Sequence, residues 1–78
     1  MRFKIKDKNT GEYIVTEMKG LLANIFNQLQ YIEGQVSLLE TFGVDVDLYI
    51  EDDNKEWVLT TIEREREYYR KLGLISKR

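Results

Sequence analysis

The sequence predicts an α+β fold in which an antiparallel four-stranded sheet is covered on one face by two helices, in the order ββαββα. Three observations carry it. "RFKIK" and "VDVDLYIED" alternate apolar and polar residues, as half-buried strands do. Met18, Leu22, Ile25, Leu29, Ile32, Val36 and Leu39 fall 4, 3, 4, 3, 4 and 3 residues apart, a helical stripe held through three heptads. The charges of the first and third strands are opposite in sign, which sets the strand order.

Phe3 and Ile5 point inward from the first strand and Arg2, Lys4 and Lys6 outward. "DKNTGE" supplies turn chemistry, with Asn9 and Gly11 suited to positive φ. "EYIVT" is β-branched and aromatic and completes an N-terminal hairpin. The helix then spans residues 18–42, with Gly43 placed for a left-handed C-terminal stop. Val44, Val46, Leu48 and Ile50 face inward from the third strand, and Asp45, Asp47, Tyr49 and Glu51 outward.

The segment from Glu56 to Thr60 admits two readings. Asp53 with Glu56 fits a capping box that would start a helix, as does Thr60 with Glu63. The reading adopted is a short fourth strand over Glu56–Thr60, then a helix from Thr61 to Leu72, with Gly73 at the stop and Leu74 folding back. Trp57, the only tryptophan, is expected as a core anchor; exposed, it would be a binding hot spot.

Opposite charges on neighbouring strands attract and like charges repel. The basic first strand therefore pairs with the acidic third, antiparallel, giving the sheet order 2-1-3-4. A helix over residues 18–42 would run about 37 Å, whereas a strand from Val44 to Ile50 spans about 23 Å. The helix either bends near Gly34 or overhangs the sheet.

With 78 residues the chain makes one small domain, residues 1–78, with a marginal core of its own. Cysteine and histidine are both absent. Disulfides, the usual zinc sites and Cys or His nucleophile chemistry are therefore excluded. No Gly-rich phosphate loop occurs, and neither Ser37 nor Ser76 has a histidine to activate it. The expectation is a non-enzymatic protein without cofactor or metal. No apolar run suits a signal peptide or a membrane span, so the expected location is the cytoplasm.

Charge runs basic, acidic, basic along the chain. Residues 20–56 hold eight acids and only Lys55, while residues 57–78 hold six bases and three acids. The net charge of −2 gives no general attraction to nucleic acid.

Between Gly20 and Ile32 no residue is charged. Asn24, Asn27, Gln28, Tyr31 and Gln35 cluster beside the apolar stripe, with Gly20 and Phe42. A solvated face would carry Lys and Glu, whereas charge depletion with retained aromatics marks an interface core. A protein partner or a second copy, as a homodimer, is expected there; the plain alternative is a polar face under the C-terminal helix. Tyr68, Tyr69, Arg70, Lys71, Lys77 and Arg78 mix bases with aromatics and form the alternative, a nucleic-acid contact. They equally suit a helix whose dipole favours bases at its end, with Glu67 and Lys71 as an i,i+4 pair. Asp45, Asp47, Glu51, Asp52 and Asp53 suggest an acidic inhibitor of a nucleic-acid enzyme, or simply a strand face paired with Arg2, Lys4 and Lys6.

"MRFKIKDKNTGEY" resembles the start of many short phage and prophage proteins of Gram-positive bacteria. The resemblance covers about a sixth of the chain. It implies a cytoplasmic accessory protein, often one that binds a host or phage protein, and assigns no residue a role.

Overall fold

A computed structural model describes residues 2–17 and 25–73. The elements run β1 (Arg2–Asp7), β2 (Tyr13–Glu17), α1 (Ile25–Thr41), β3 (Val46–Glu51), β4 (Trp57–Thr60) and α2 (Ile62–Lys71). The sheet order is β2-β1-β3-β4, and every neighbouring pair is antiparallel. The α+β class, element order and strand order expected from charge and periodicity are those observed.

The central pair β1–β3 places Ile5 opposite Leu48 and Phe3 opposite Ile50. Their inward side chains meet Ile25, Leu29 and Ile32 of α1, and together with Leu48 these form the buried core. Val36, Leu39, Val46, Ile50, Ile62 and Tyr69 pack around it, so α2 seals one flank. Burial of an apolar side chain contributes about 1.5–3 kcal/mol. The Arg2–Glu51 ion pair at 2.8 Å on the outer face is partly exposed, and such pairs contribute about 0–1 kcal/mol. Slipping the register by one residue would turn Phe3 and Ile5 outward. Apolar parity therefore fixes the register, while opposite charge is consistent with the choice of neighbour.

Both hairpins turn on an aspartate. Asp7 Oδ1 accepts the Asn9 and Thr10 amides at 2.8 and 3.3 Å, and Gly11 takes the positive φ of 79°. Asn9 does not. Asp52 Oδ1 accepts the Asn54 and Glu56 amides, each at 2.9 Å. Lys55 there has φ 65°, the one non-glycine with positive φ among the described residues. Asp52 thus closes a strand turn, and Asp53 caps no helix.

Three boundaries differ from expectation. Glu56 belongs to the turn, and β4 starts at Trp57, directly opposite Glu51. Glu51 faces outward, so Trp57 lies on the outer face as well and is not a core anchor; Thr60 takes the buried inner position. The α2 cap is Thr61, whose hydroxyl accepts the Arg64 amide at 3.1 Å. Thr60 instead donates its hydroxyl to Glu65 Oε2 at 2.6 Å, so no Thr60–Glu63 box forms. β3 begins at Val46, because the Val44 amide bonds to Leu39 O at 3.0 Å in the stop of α1.

Gly43 sits at that stop with φ 82°, its amide on Glu40 O at 3.0 Å. Gly73 ends α2 with φ 77°. Met18, Leu22 and Leu74 lie outside the described residues. From Ile25 to Thr41 the helix runs without interruption through Gly34.

A Cβ added at Gly34 would meet nothing within 4 Å, and the residue is exposed in a helix interior. Gly34→Ala is expected to raise the unfolding free energy by about 1 kcal/mol. Gly43→Ala meets the same open space yet forces a Cβ into the left-handed region, and is expected to lower it by about 1–2 kcal/mol. Urea melts of dilute protein read both signs.

Candidate functional site

Two surfaces stand out, on opposite sides of the sheet. The first is the solvent face of α1. Among its 17 residues only Glu33 and Glu40 are charged. At 3.6 residues per turn the buried Ile25, Leu29 and Ile32 lie opposite Asn27, Gly34 and Leu38, with Tyr31 and Phe42 alongside. Tyr31 is 55% exposed, Leu38 58% and Phe42 76%. Glu33 and Glu40 stand off this stripe, lining the groove between α1 and the β4–α2 connection. Glu33 also binds Arg66 of α2 through two bonds of 3.0 Å.

Of the residues expected on this face, Asn27 and Tyr31 are exposed. Gln28 is 7% exposed and belongs to the interior of the chain. It follows Ile25 by three residues and precedes Ile32 by four, which turns it toward the core. Gln35 is half-buried beside Tyr31, its Nε2 donating to the Tyr31 hydroxyl at 3.4 Å. Its Oε1 is buried with no partner among the described residues. Asn24 lies outside them. Leu38 and Phe42 carry the most exposed apolar surface; the first was absent from the expected set, though Tyr31 plus seven residues marks it.

The second surface is the outer face of the sheet. Strand register puts Tyr13 and Val15 of β2, Lys4 of β1, Tyr49 of β3 and Trp57 of β4 on it. Lys4 is directly opposite Tyr49, while Tyr13 and Trp57 approach it diagonally from the two sides. The Lys4 ammonium lies 4.8 Å from the Tyr49 ring centre, 5.1 Å from Trp57 and 5.2 Å from Tyr13. The Arg2 guanidinium sits 5.5 Å over Trp57. A cation over a ring is attracted by its quadrupole, by about 0.5–1 kcal/mol at exposed sites. This cluster is not evident from linear spacing, because its members come from four strands.

The acidic strand is largely matched by bases of the first hairpin. Glu51 pairs with Arg2, and Asp47 pairs with Lys8 at 3.5 Å rather than with Lys6. Asp52 is engaged in its turn, which leaves Asp45 and Asp53 at separate ends. No group of three acidic side chains converges to hold a metal among the described residues.

The aromatic and basic residues of α2 are divided. Tyr69 packs on the core and meets Tyr68 edge to face at 5.2 Å. Arg70 binds Glu67 at 2.7 Å, displacing the expected Glu67–Lys71 pair. Tyr68 and Lys71 remain exposed, and Lys77 and Arg78 lie outside the described residues. No helix of the described residues is long and apolar enough to cross a membrane.

Burial, then the nearby Glu65 and Tyr68, push the Tyr69 phenol up to about 12. A folded-state value above the unfolded one means that stability is complete below the ordinary tyrosine range and is lost as pH rises from about 10 to about 12. In an ultraviolet phenolate titration, Tyr69→Phe is expected to delete the step near pH 12 and to reduce the alkaline loss of stability. No protein-family model, curated protein or solved structure matches this chain.

Proposed function

We propose that the chain is a non-enzymatic protein-interaction module that pairs with a second copy of itself through the solvent face of α1. The observation that carries this reading is the exposure of Tyr31, Leu38 and Phe42 on a helix face with no charge. Helix faces turned to water normally carry Lys and Glu. Contiguous exposed apolar surface marks a contact.

A second copy suits this face for an electrostatic reason. Glu33 and Glu40 lie off the stripe, so two copies related by a twofold axis bring no carboxylates together across it. A twofold contact uses the same patch on both partners, and an uncharged patch is compatible with itself. The small core gives such a contact thermodynamic weight, since only six apolar side chains are fully inside the described fold. An accessory module of this kind also agrees with the resemblance of the first hairpin to phage and prophage proteins. The lack of histidine and cysteine fits a role without catalysis.

Sedimentation velocity across a concentration series tests the reading. The expectation is a monomer–dimer equilibrium that Tyr31→Glu and Phe42→Glu each shift to monomer, because each strands a charge in a desolvated contact, a penalty of several kcal/mol. Melting of dilute protein should move by no more than about 0.5 kcal/mol for either variant, whereas Ile25→Glu unfolds the chain. A wild type that stays monomeric at high micromolar concentration contradicts self-association. Melting of Tyr31→Glu as severe as that of Ile25→Glu would assign the stripe to the monomer core.

A further inference from the structure

We propose that the outer face of the sheet binds single-stranded nucleic acid, with bases stacking on Tyr13 and Trp57 and phosphates meeting Lys4 and Lys6. This surface is separate from the α1 stripe and independent of self-association there.

The charge arrangement selects the ligand. Three bases of β1, Arg2, Lys4 and Lys6, line this side of the sheet, with Glu17, Asp47 and Glu51 as its acids, and Lys8 reaches Asp47 from the adjoining turn. Arg2 is matched by Glu51 and Lys8 by Asp47. Among the described residues no ion pair joins Lys4 or Lys6 to a carboxylate. An apolar protein surface laid over this face would bury two ammonium groups that have no ion-pair partner among the described residues. The occupant must therefore bring anions of its own.

The rings narrow the choice further. Tyr13 is 60% exposed at the sheet edge, and Trp57 lies two strands beyond Lys4. An acidic peptide would neutralise the lysines but brings planar groups only where its sequence happens to carry them. A single strand offers both, since every base has a π face and its backbone carries regular phosphates. In one class of RNA-binding modules a four-stranded sheet stacks two or three bases on its aromatics, which shows that such a surface has room for them. Lys4 occupies the space between the rings. Its four-carbon stem lets the ammonium leave Tyr13 and Trp57 for a phosphate as bases arrive. The acidic net charge of the chain is no obstacle, because two of the three acids here already have partners.

Trp57 is the only tryptophan and reports directly on this face. The experiment titrates the full chain with short oligothymidylate or oligouridylate and follows Trp57 emission. Saturable quenching is expected. With two phosphates neutralised on a single strand, affinity should fall about sevenfold between 50 and 200 mM salt. Tyr13→Ala and Lys4→Ala should each weaken binding roughly fivefold or more, with circular dichroism unchanged, and Lys6→Ala gives a second charge variant. Lys71→Ala on α2 should leave the titration as in wild type. Polyglutamate and inorganic polyphosphate of equal charge are the comparison ligands. Unchanged emission with the oligonucleotides overturns the proposal. So does equal binding of polyglutamate, which indicates an acidic protein partner, or of polyphosphate, which indicates charge without stacking. Wild-type affinity in Tyr13→Ala overturns it as well.

Discussion

The pairing of β1 with β3 is the constraint on which the rest of this molecule depends. It brings two apolar stretches far apart in sequence, Phe3–Ile5 and Leu48–Ile50, side by side at the centre of the sheet. Only then do Ile25, Leu29 and Ile32 of α1 have a floor to cover. Each outer strand is attached to this centre by a hairpin closed on an aspartate, Asp7 or Asp52. The Lys8 amide bonds to Asp45 O at 2.9 Å, tying the first turn to the start of β3. α2 then follows from the end of β4, capped by Thr61 and anchored through Arg66 to Glu33. Remove the central pair and each ββα half keeps a hairpin and a helix with one uncovered side.

A two-layer design of this size has few apolar side chains to commit to its interior. The consequence is visible on both outer surfaces. Beyond the core, α1 and the turn after it present Tyr31, Leu38 and Phe42, and the outer sheet face presents Tyr13, Val15 and Leu59. The two surfaces differ in kind. The helix face has no charge and suits a partner that has none. The sheet face holds an ammonium among three rings and suits a partner that brings anions and planar groups. Since the sheet lies between them, occupation of one leaves the other open.

The sheet order was legible in the sequence because charge sign and alternation are properties of whole strands. Arg2, Lys4 and Lys6 against Asp47 and Glu51 sufficed to choose the neighbours. The helix stop at Gly43 was legible because only a left-handed residue serves there. Trp57 was not, for a reason of parity. Moving the start of β4 by one residue sends its side chain to the other face, and the deciding bond is the Glu56 amide on Asp52. Gln28 was misplaced because a polar residue flanking a core stripe can turn either way. The ring cluster around Lys4 needed three registers at once, which no linear pattern contains. The signal that could have found it is outward alternation in all four strands read together.

The central claim is that one small core leaves the α1 face as a contact between copies. Backbone and side-chain NMR spectra at low and high protein concentration test it residue by residue. Concentration-dependent shifts are expected at Asn27, Tyr31, Leu38, Phe42 and their neighbours on this face alone, with Phe3, Ile5 and Leu48 unmoved. Spectra identical at every concentration, or shifts centred on Tyr13 and Trp57 instead, would contradict it.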